Sequence, residues 1–220
     1  MSPTGETKIL RLTRENETEV LREAQTAIER GQLLIFPTDT VYGMGGGAFV
    51  SGVYNRLMEL KGTRELKAYA LLIADREIME RIAGRTLEGA ALHLAQRFWP
   101  GALTIVWHAS LGISREFTAP DGSVGYRVPD HAFLRSLMQA GDGALWATSA
   151  NRTGLPPPAV FGAIENTVME KALLAIDGGG MLAGTPSTVV DARVWPVRIL
   201  REGAISAREI HAFLREDSRE

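Results

Sequence analysis

Apolar positions in this chain fall into two kinds of pattern that alternate along its length: stripes at helical spacing and short unbroken runs. Val20, Leu21, Ala24, Ala27 and Ile28 make the first stripe, with Asn16 placed to cap a helix, Glu19 to complete a capping box and Gly31 to stop it. A strand over 33–37 follows at once, then a helix over 51–61 with Val53, Tyr54, Leu57, Met58 and Leu60 on its buried side and Lys61 in its last turn. Further on, the runs predict strands over 69–73, 103–107, 124–128, 145–148, 173–176, 187–190 and 197–200. The stripes predict helices over 75–82, 88–98, 132–140 and from Ala207 onward. Residues 1–7 and 216–220 read as frayed tails.

Strands alternating with helices, with no internal repeat or low-complexity segment, predict an α/β (α+β) fold: one domain built on a mixed sheet. The organisation expected is a polar N-terminal segment with a first strand over 1–15, the main domain over 16–206, and a C-terminal helix and tail over 207–220.

Composition narrows the chemistry. The 220 residues are 45% hydrophobic and carry a formal net charge of -2, enough for a full core and too little positive charge for a surface wrapped by nucleic acid. Cysteine is absent, so disulfides, zinc thiolates and thiol nucleophiles drop out together. No apolar run approaches the roughly 20 residues of a membrane span, and the N-terminus is polar, so the expected location is the cytoplasm.

The strand over 33–37 ends in Pro37-Thr38-Asp39-Thr40-Val41-Tyr42-Gly43-Met44-Gly45-Gly46-Gly47. Two hydroxyls two residues apart share a face if the backbone stays extended, and the glycines after them read as flexible chain that can approach a small polar ligand. Gly43 to Ala48 formally fits the dinucleotide fingerprint, but Thr38 to Tyr42 intervene where that fingerprint needs a tight strand-to-helix turn. A phosphate loop ending in glycine-lysine-serine is missing, the four histidines lack ligand spacing, and Ser149 lacks the glycines of a nucleophile elbow.

What remains is a series of strand-end clusters rich in hydroxyls, amides and cations. Lys61, Arg64 and Lys67 follow a helix, where they also suit its macrodipole. Arg127 sits mid-strand among apolar residues, and a buried guanidinium calls for an anion. Thr148 to Gly154, Gly184 to Asp191 and Ile199 to Ala204 complete the set. Converging on one face, they would form a cleft with cations for phosphates and with hydroxyls and an amide for an amino acid or sugar, suited to phosphoryl or nucleotidyl transfer by positioning and charge neutralisation.

In order along the chain, FPTDTVYG, KGTRELK, FWPGALT, VGYRVPDH, ATSANRTG, PSTVVD and ILREG resemble the YrdC/Sua5 family of threonylcarbamoyl-AMP synthases over roughly residues 33–206. The resemblance implies a twisted mixed sheet with flanking helices and an open basic concave cleft. It also implies a nucleotidyltransferase that makes threonylcarbamoyl-AMP and pyrophosphate from L-threonine, bicarbonate and ATP, for threonylcarbamoyladenosine formation on tRNA. By motif position, Thr40, Arg127, Ser149 and Ser187 fall where relatives hold threonine, with Tyr42 beside them. Lys61, Thr63, Lys67, Ser123, Asn151 and Arg201 fall where they hold ATP. Arg127 would pair with the threonine carboxylate, Ser149 and Ser187 would donate to oxygens, and Lys61 and Arg64 would stabilise charge. Magnesium would arrive with ATP through its phosphates, with no metal ligands from the protein. The product would pass to tRNA-modifying transferase partners.

The second motif departs from the family pattern of lysine, any residue, arginine, proline: Lys61 is followed by Gly62, Thr63 and Arg64. Ala68 stands where a proline is expected, and Leu72 where some relatives carry a threonine-binding histidine. The alternative is a non-synthase paralogue of the same fold, an RNA-binding or ribosome-associated module that uses the same cleft.

Overall fold

The computed structural model describes residues 6–61, 69–109, 113 and 118–217. Ten strands form one sheet: β1 (Lys8–Arg11), β2 (Leu34–Phe36), β3 (Gly43–Gly47), β4 (Ala70–Ile73), β5 (Leu103–His108), β6 (Ser123–Arg127), β7 (Ala144–Ser149), β8 (Leu174–Asp177), β9 (Thr188–Asp191) and β10 (Arg198–Arg201). Their spatial order is β1-β8-β2-β3-β7-β4-β6-β5-β9-β10. The pairs β1–β8, β8–β2, β4–β6 and β5–β9 are parallel and the remaining neighbours antiparallel, so the sheet is mixed as expected. The helices are α1 (Glu17–Glu29), α2 (Val53–Lys61), α3 (Arg76–Ala83), α4 (Gly89–Phe98), α5 (Ala132–Gln139), α6 (Asn166–Met169) and α7 (Ala207–Asp217). No helix among the described residues is long and apolar enough to cross a membrane.

Strand alternation sorts side chains into two layers. Ile35, Leu71, Ile73, Trp146, Leu103, Ile105, Tyr126 and Val190 point to a large core packed by α2, α3, α4, α6 and α7. Leu34, Phe36, Leu145, Ala147, Leu174 and Ile176 point the other way, into a smaller core under α1 and α5. That second pair of helices covers only one half of its face. Over the other half, the alternate positions of β6, β5 and β9 are Ser123, Gly125 and Arg127, Thr104 and Val106, and Val189 and Asp191, all of which line a cleft. The site is the part of the sheet that none of these helices covers.

Local chemistry differs from expectation in four places. Asn16 precedes α1, but its side chain does not cap the helix: Oδ1 accepts from the Thr13 amide and Nδ2 donates to the Arg11 carbonyl, tying down the loop from β1. The glycine run is not a loop. It is the central strand β3, buried throughout and hydrogen-bonded to β2 and β7. Thr7 is no frayed tail, because its hydroxyl bonds to the carbonyls of Met169 and Ala172. At the other end α7 runs through Asp217.

Candidate functional site

The cleft has a volume of about 580 Å³. Its first wall is the turn between β2 and β3. The backbone turns there instead of staying extended, yet the two threonines still meet: Thr38 Oγ1 lies 3.0 Å from Thr40 Oγ1. Thr38 donates to the Val41 carbonyl and accepts the amides of Thr40 and Val41, which uses its proton and both lone pairs and fixes the turn.

Arg127 crosses to this turn from β6. Its Nη1 donates to Thr40 Oγ1 at 3.0 Å, Nη2 to Asp39 Oδ1 at 2.7 Å, and Nε to the Gly101 carbonyl at 3.0 Å. The side chains of Arg127 and Asp39 are only 7% and 15% exposed. The anion that a buried Arg127 requires is therefore supplied by the chain itself, a residue that sequence reading passed over. Burial pushes the guanidinium pKa down and Asp39 opposes that shift. Among the described residues three of the five guanidinium N–H groups are used, which leaves one on each terminal nitrogen.

The opposite wall comes from β5, β9 and β10. Ser187 Oγ lies 2.8 Å from Thr104 Oγ1, and Arg201 donates to the Ser187 carbonyl through Nε and Nη2. Among the described residues Arg201 has no carboxylate partner; burial and the charge of Arg127 both lower its pKa. Two arginines that repel one another across a cleft favour an anion between them.

Beneath the loop after β7 lies Lys61, at the end of α2. Its ammonium donates to the carbonyl of Ser149 (2.9 Å), the carbonyl of Asn151 (2.7 Å) and Asn151 Oδ1 (3.0 Å). Desolvation brings its pKa down to about 8. Because an ammonium only donates, it fixes which end of the Asn151 amide is oxygen, and that oxygen takes the Ser149 hydroxyl proton at 2.6 Å. Ser149 was expected to donate to ligand oxygens; here its proton is spent and it offers lone pairs to the cleft it lines.

Of the residues expected to hold threonine, Arg127, Ser149 and Ser187 line the cleft, and Thr40 stands behind Arg127 as its partner. Tyr42 is fully buried and faces elsewhere: its hydroxyl accepts the Gly178 amide at 3.0 Å and meets the Asp177 carboxylate, and its ring packs edge-on against Phe161. Of those expected to hold ATP, Ser123 and Arg201 line the cleft, while Lys61 and Asn151 support it from below. Thr63, Arg64 and Lys67 lie outside the described residues. Asp121, Arg193 and Arg198 also line the cleft and were not singled out from sequence, since lone charges in polar loops look like surface. Among the described residues no three of His, Asp and Glu gather as a metal site.

Residues 26–203 match the family model for Sua5, YciO and YrdC, described as "Telomere recombination". The chain belongs to this family. It is 35% identical to the threonylcarbamoyl-AMP synthase of Pyrococcus abyssi over 196 residues, 89% of this chain and 57% of that protein. Against the threonylcarbamoyl-AMP synthase of Bacillus subtilis it is 30% identical, covering 88% of this chain and 56% of the relative. The chain thus spans a little over half the length of both. The structure of P. abyssi Sua5 complexed with L-threonine superposes with a TM-score of 0.80 at 33% identity, over 95% of this chain and 61% of that one.

Proposed function

We propose that this chain joins L-threonine, bicarbonate and ATP into threonylcarbamoyl-AMP with release of pyrophosphate, in the cytoplasm, for threonylcarbamoyladenosine formation on tRNA. The observation that carries this reading is Arg127: a buried guanidinium clamped by Asp39, Thr40 and Gly101, with two N–H groups in reserve at a cleft that also holds Arg201. The relatives' shared activity and the threonine complex of P. abyssi Sua5 support the same reading.

In this scheme the threonine carboxylate takes the two remaining N–H groups of Arg127, and the acceptor-presenting Ser149 receives a donor, the amine or hydroxyl of threonine. The amine loses a proton and bonds to the carbon of CO2 released from bicarbonate, giving a carbamate. A carbamate oxygen then bonds to the α-phosphorus while the bond to the pyrophosphate oxygen breaks, with Arg201, Arg64 and Lys67 and the magnesium carried in with ATP offsetting the charge. The product is a mixed anhydride prone to hydrolysis, so a transferase that accepts it promptly and acts on tRNA is the partner the chemistry calls for.

The test is pyrophosphate release by the purified chain. Release should require ATP, threonine and bicarbonate together, and Arg127→Ala should remove threonine binding in a calorimetric titration while circular dichroism shows the fold retained. Release that ignores threonine or bicarbonate overturns the proposal, and so does near-normal threonine affinity in folded Arg127→Ala. A chain that only binds structured RNA would release none.

A further inference from the structure

The far end of the cleft, where β6 begins and β9 and β10 meet in a hairpin, is wired differently from the rest. Asp191, 1% exposed, is gripped by Arg193 through a fork: Nε to Oδ1 and Nη2 to Oδ2, each 2.9 Å. Arg198 adds a bond of 2.8 Å to Oδ2. Arg193, itself 14% exposed, also reaches Asp121 Oδ2 at 2.8 Å. The other oxygen, Asp121 Oδ1, takes both the amide of Ser123 at 3.1 Å and its hydroxyl at 2.6 Å. Asp121 stands on the tight turn closed by the Gly122 amide on the Ala119 carbonyl, and is half exposed, so its place depends on Arg193.

Two consequences follow from this wiring. First, two carboxylates and two guanidiniums cancel, so this end is formally neutral, whereas Arg127 and Arg201 outnumber Asp39 elsewhere in the cleft. Second, the Ser123 proton is committed to a carboxylate, so Ser123 presents only lone pairs. A phosphate oxygen placed against Ser123 would find no donor in that hydroxyl and would face the Asp121 charge, and turning the hydroxyl toward it would break a charge-assisted bond.

We propose that Asp121, held by Arg193, is a specificity-determining positioning residue. By taking the Ser123 proton it makes this end of the cleft accept a hydrogen-bond donor of the nucleotide, its exocyclic amino group or a ribose hydroxyl, and refuse phosphate. This rests on the nucleotidyl-transfer reading above and adds an orientation to it: nucleoside at the Ser123 end, phosphates toward Arg201 and Arg127. Hydrogen bonds from Arg193 and Ser123 hold the Asp121 pKa down to about 2, so it remains an acceptor at any assay pH.

The experiment compares ATP, inosine triphosphate, 2′-deoxyATP and 3′-deoxyATP as substrates for pyrophosphate release. One analogue, the one lacking the donor that Ser123 accepts, should show a KM about tenfold above that for ATP with kcat little changed. Inosine triphosphate points to the amino group and a deoxy analogue to that hydroxyl. Ser123→Ala and Asp121→Ala should each raise the KM for ATP and erase the discrimination, with the double variant no worse than either; thermal melts guard against misfolding. Equal KM values for all four nucleotides in the wild type overturn the inference, as does Ser123→Ala weakening inhibition by tripolyphosphate instead. If no pyrophosphate is released at all, the same four nucleotides are compared by calorimetry. Discrimination there sustains the inference while the synthase reading fails, and absence of nucleotide binding sinks both.

Discussion

Lys61 shows how far a side chain's sequence neighbourhood can mislead about its task. In sequence it stands at the head of a basic run suited to a triphosphate; in the structure its three N–H groups are all used by Ser149 and Asn151. Its contribution passes through Asn151 to the proton of Ser149. With the pKa lowered to about 8 from 10.5, neutral amine accumulates above pH 8 and supplies only two N–H groups to three oxygens. The kcat/KM for threonine is therefore expected to fall above about pH 8, with that limb absent from the pH profile of Lys61→Met, which should already be slow at pH 7. Stability should move oppositely. The unfolded chain holds this proton more tightly than the folded one, so charged Lys61 costs stability below pH 8, and wild-type stability rises relative to Lys61→Met as pH goes from about 8 toward 10.5. Denaturant midpoints for the two proteins across that range provide the check. Arg127 carries the complementary lesson: its burial was legible in Val124 to Pro129, but its counterion, 88 residues away, was not.

Among the elements, β3 is where tertiary packing overrode local signal most completely. Five glycine-rich positions show neither helical nor strand periodicity, and only Met44 hints at a buried face. The glycines are needed because neighbours come too close for side chains. A Cβ on Gly45 would fall inside the van der Waals shell of the Trp146 carbonyl oxygen, and one on Gly43 would lie 2.8 Å from the Phe36 ring. Backbone carbonyls of a central strand cannot move aside, so Gly45→Ala should cost at least about 3 kcal/mol and lower Tm by roughly 6–12 °C, or prevent soluble expression. Gly162→Ala, with open space around its Cβ, should leave the melt unchanged. Apart from α6, the helices and the apolar strands from β2 onward were readable to within about two residues, because each is recorded in its own alternation; Asp75, where the third helix was expected to begin, is the cap of α3, accepting the Ile78 amide at 2.8 Å.

For the whole molecule, the cleft results from uneven coverage: one face of the sheet is packed by five of the described helices, while α1 and α5 cover half of the other. The unbalanced Arg127 and Arg201 then make the native state a receptor for anions. Magnesium ATP at one hundred times its Kd should stabilise the fold by about 2.7 kcal/mol and raise Tm by roughly 5–11 °C, a shift that Arg201→Ala should shrink in differential scanning fluorimetry at the same concentration. Sequence alone determined the order of the apolar strands and of the helices other than α6, the single mixed-sheet domain, and which strand-end clusters supply the cations and hydroxyls of the cleft, since periodicity and residue type are local properties. Tertiary structure decided how the clusters are used: which hydroxyl protons are spent, that Asp39 balances Arg127, that Lys61 supports rather than lines the cleft, and that Asp121, Arg193 and Asp191 close its far end. Bonds such as Arg127 to Thr40 and Lys61 to Asn151 join residues 87 and 90 positions apart, and only the pairing of non-adjacent strands sets those distances.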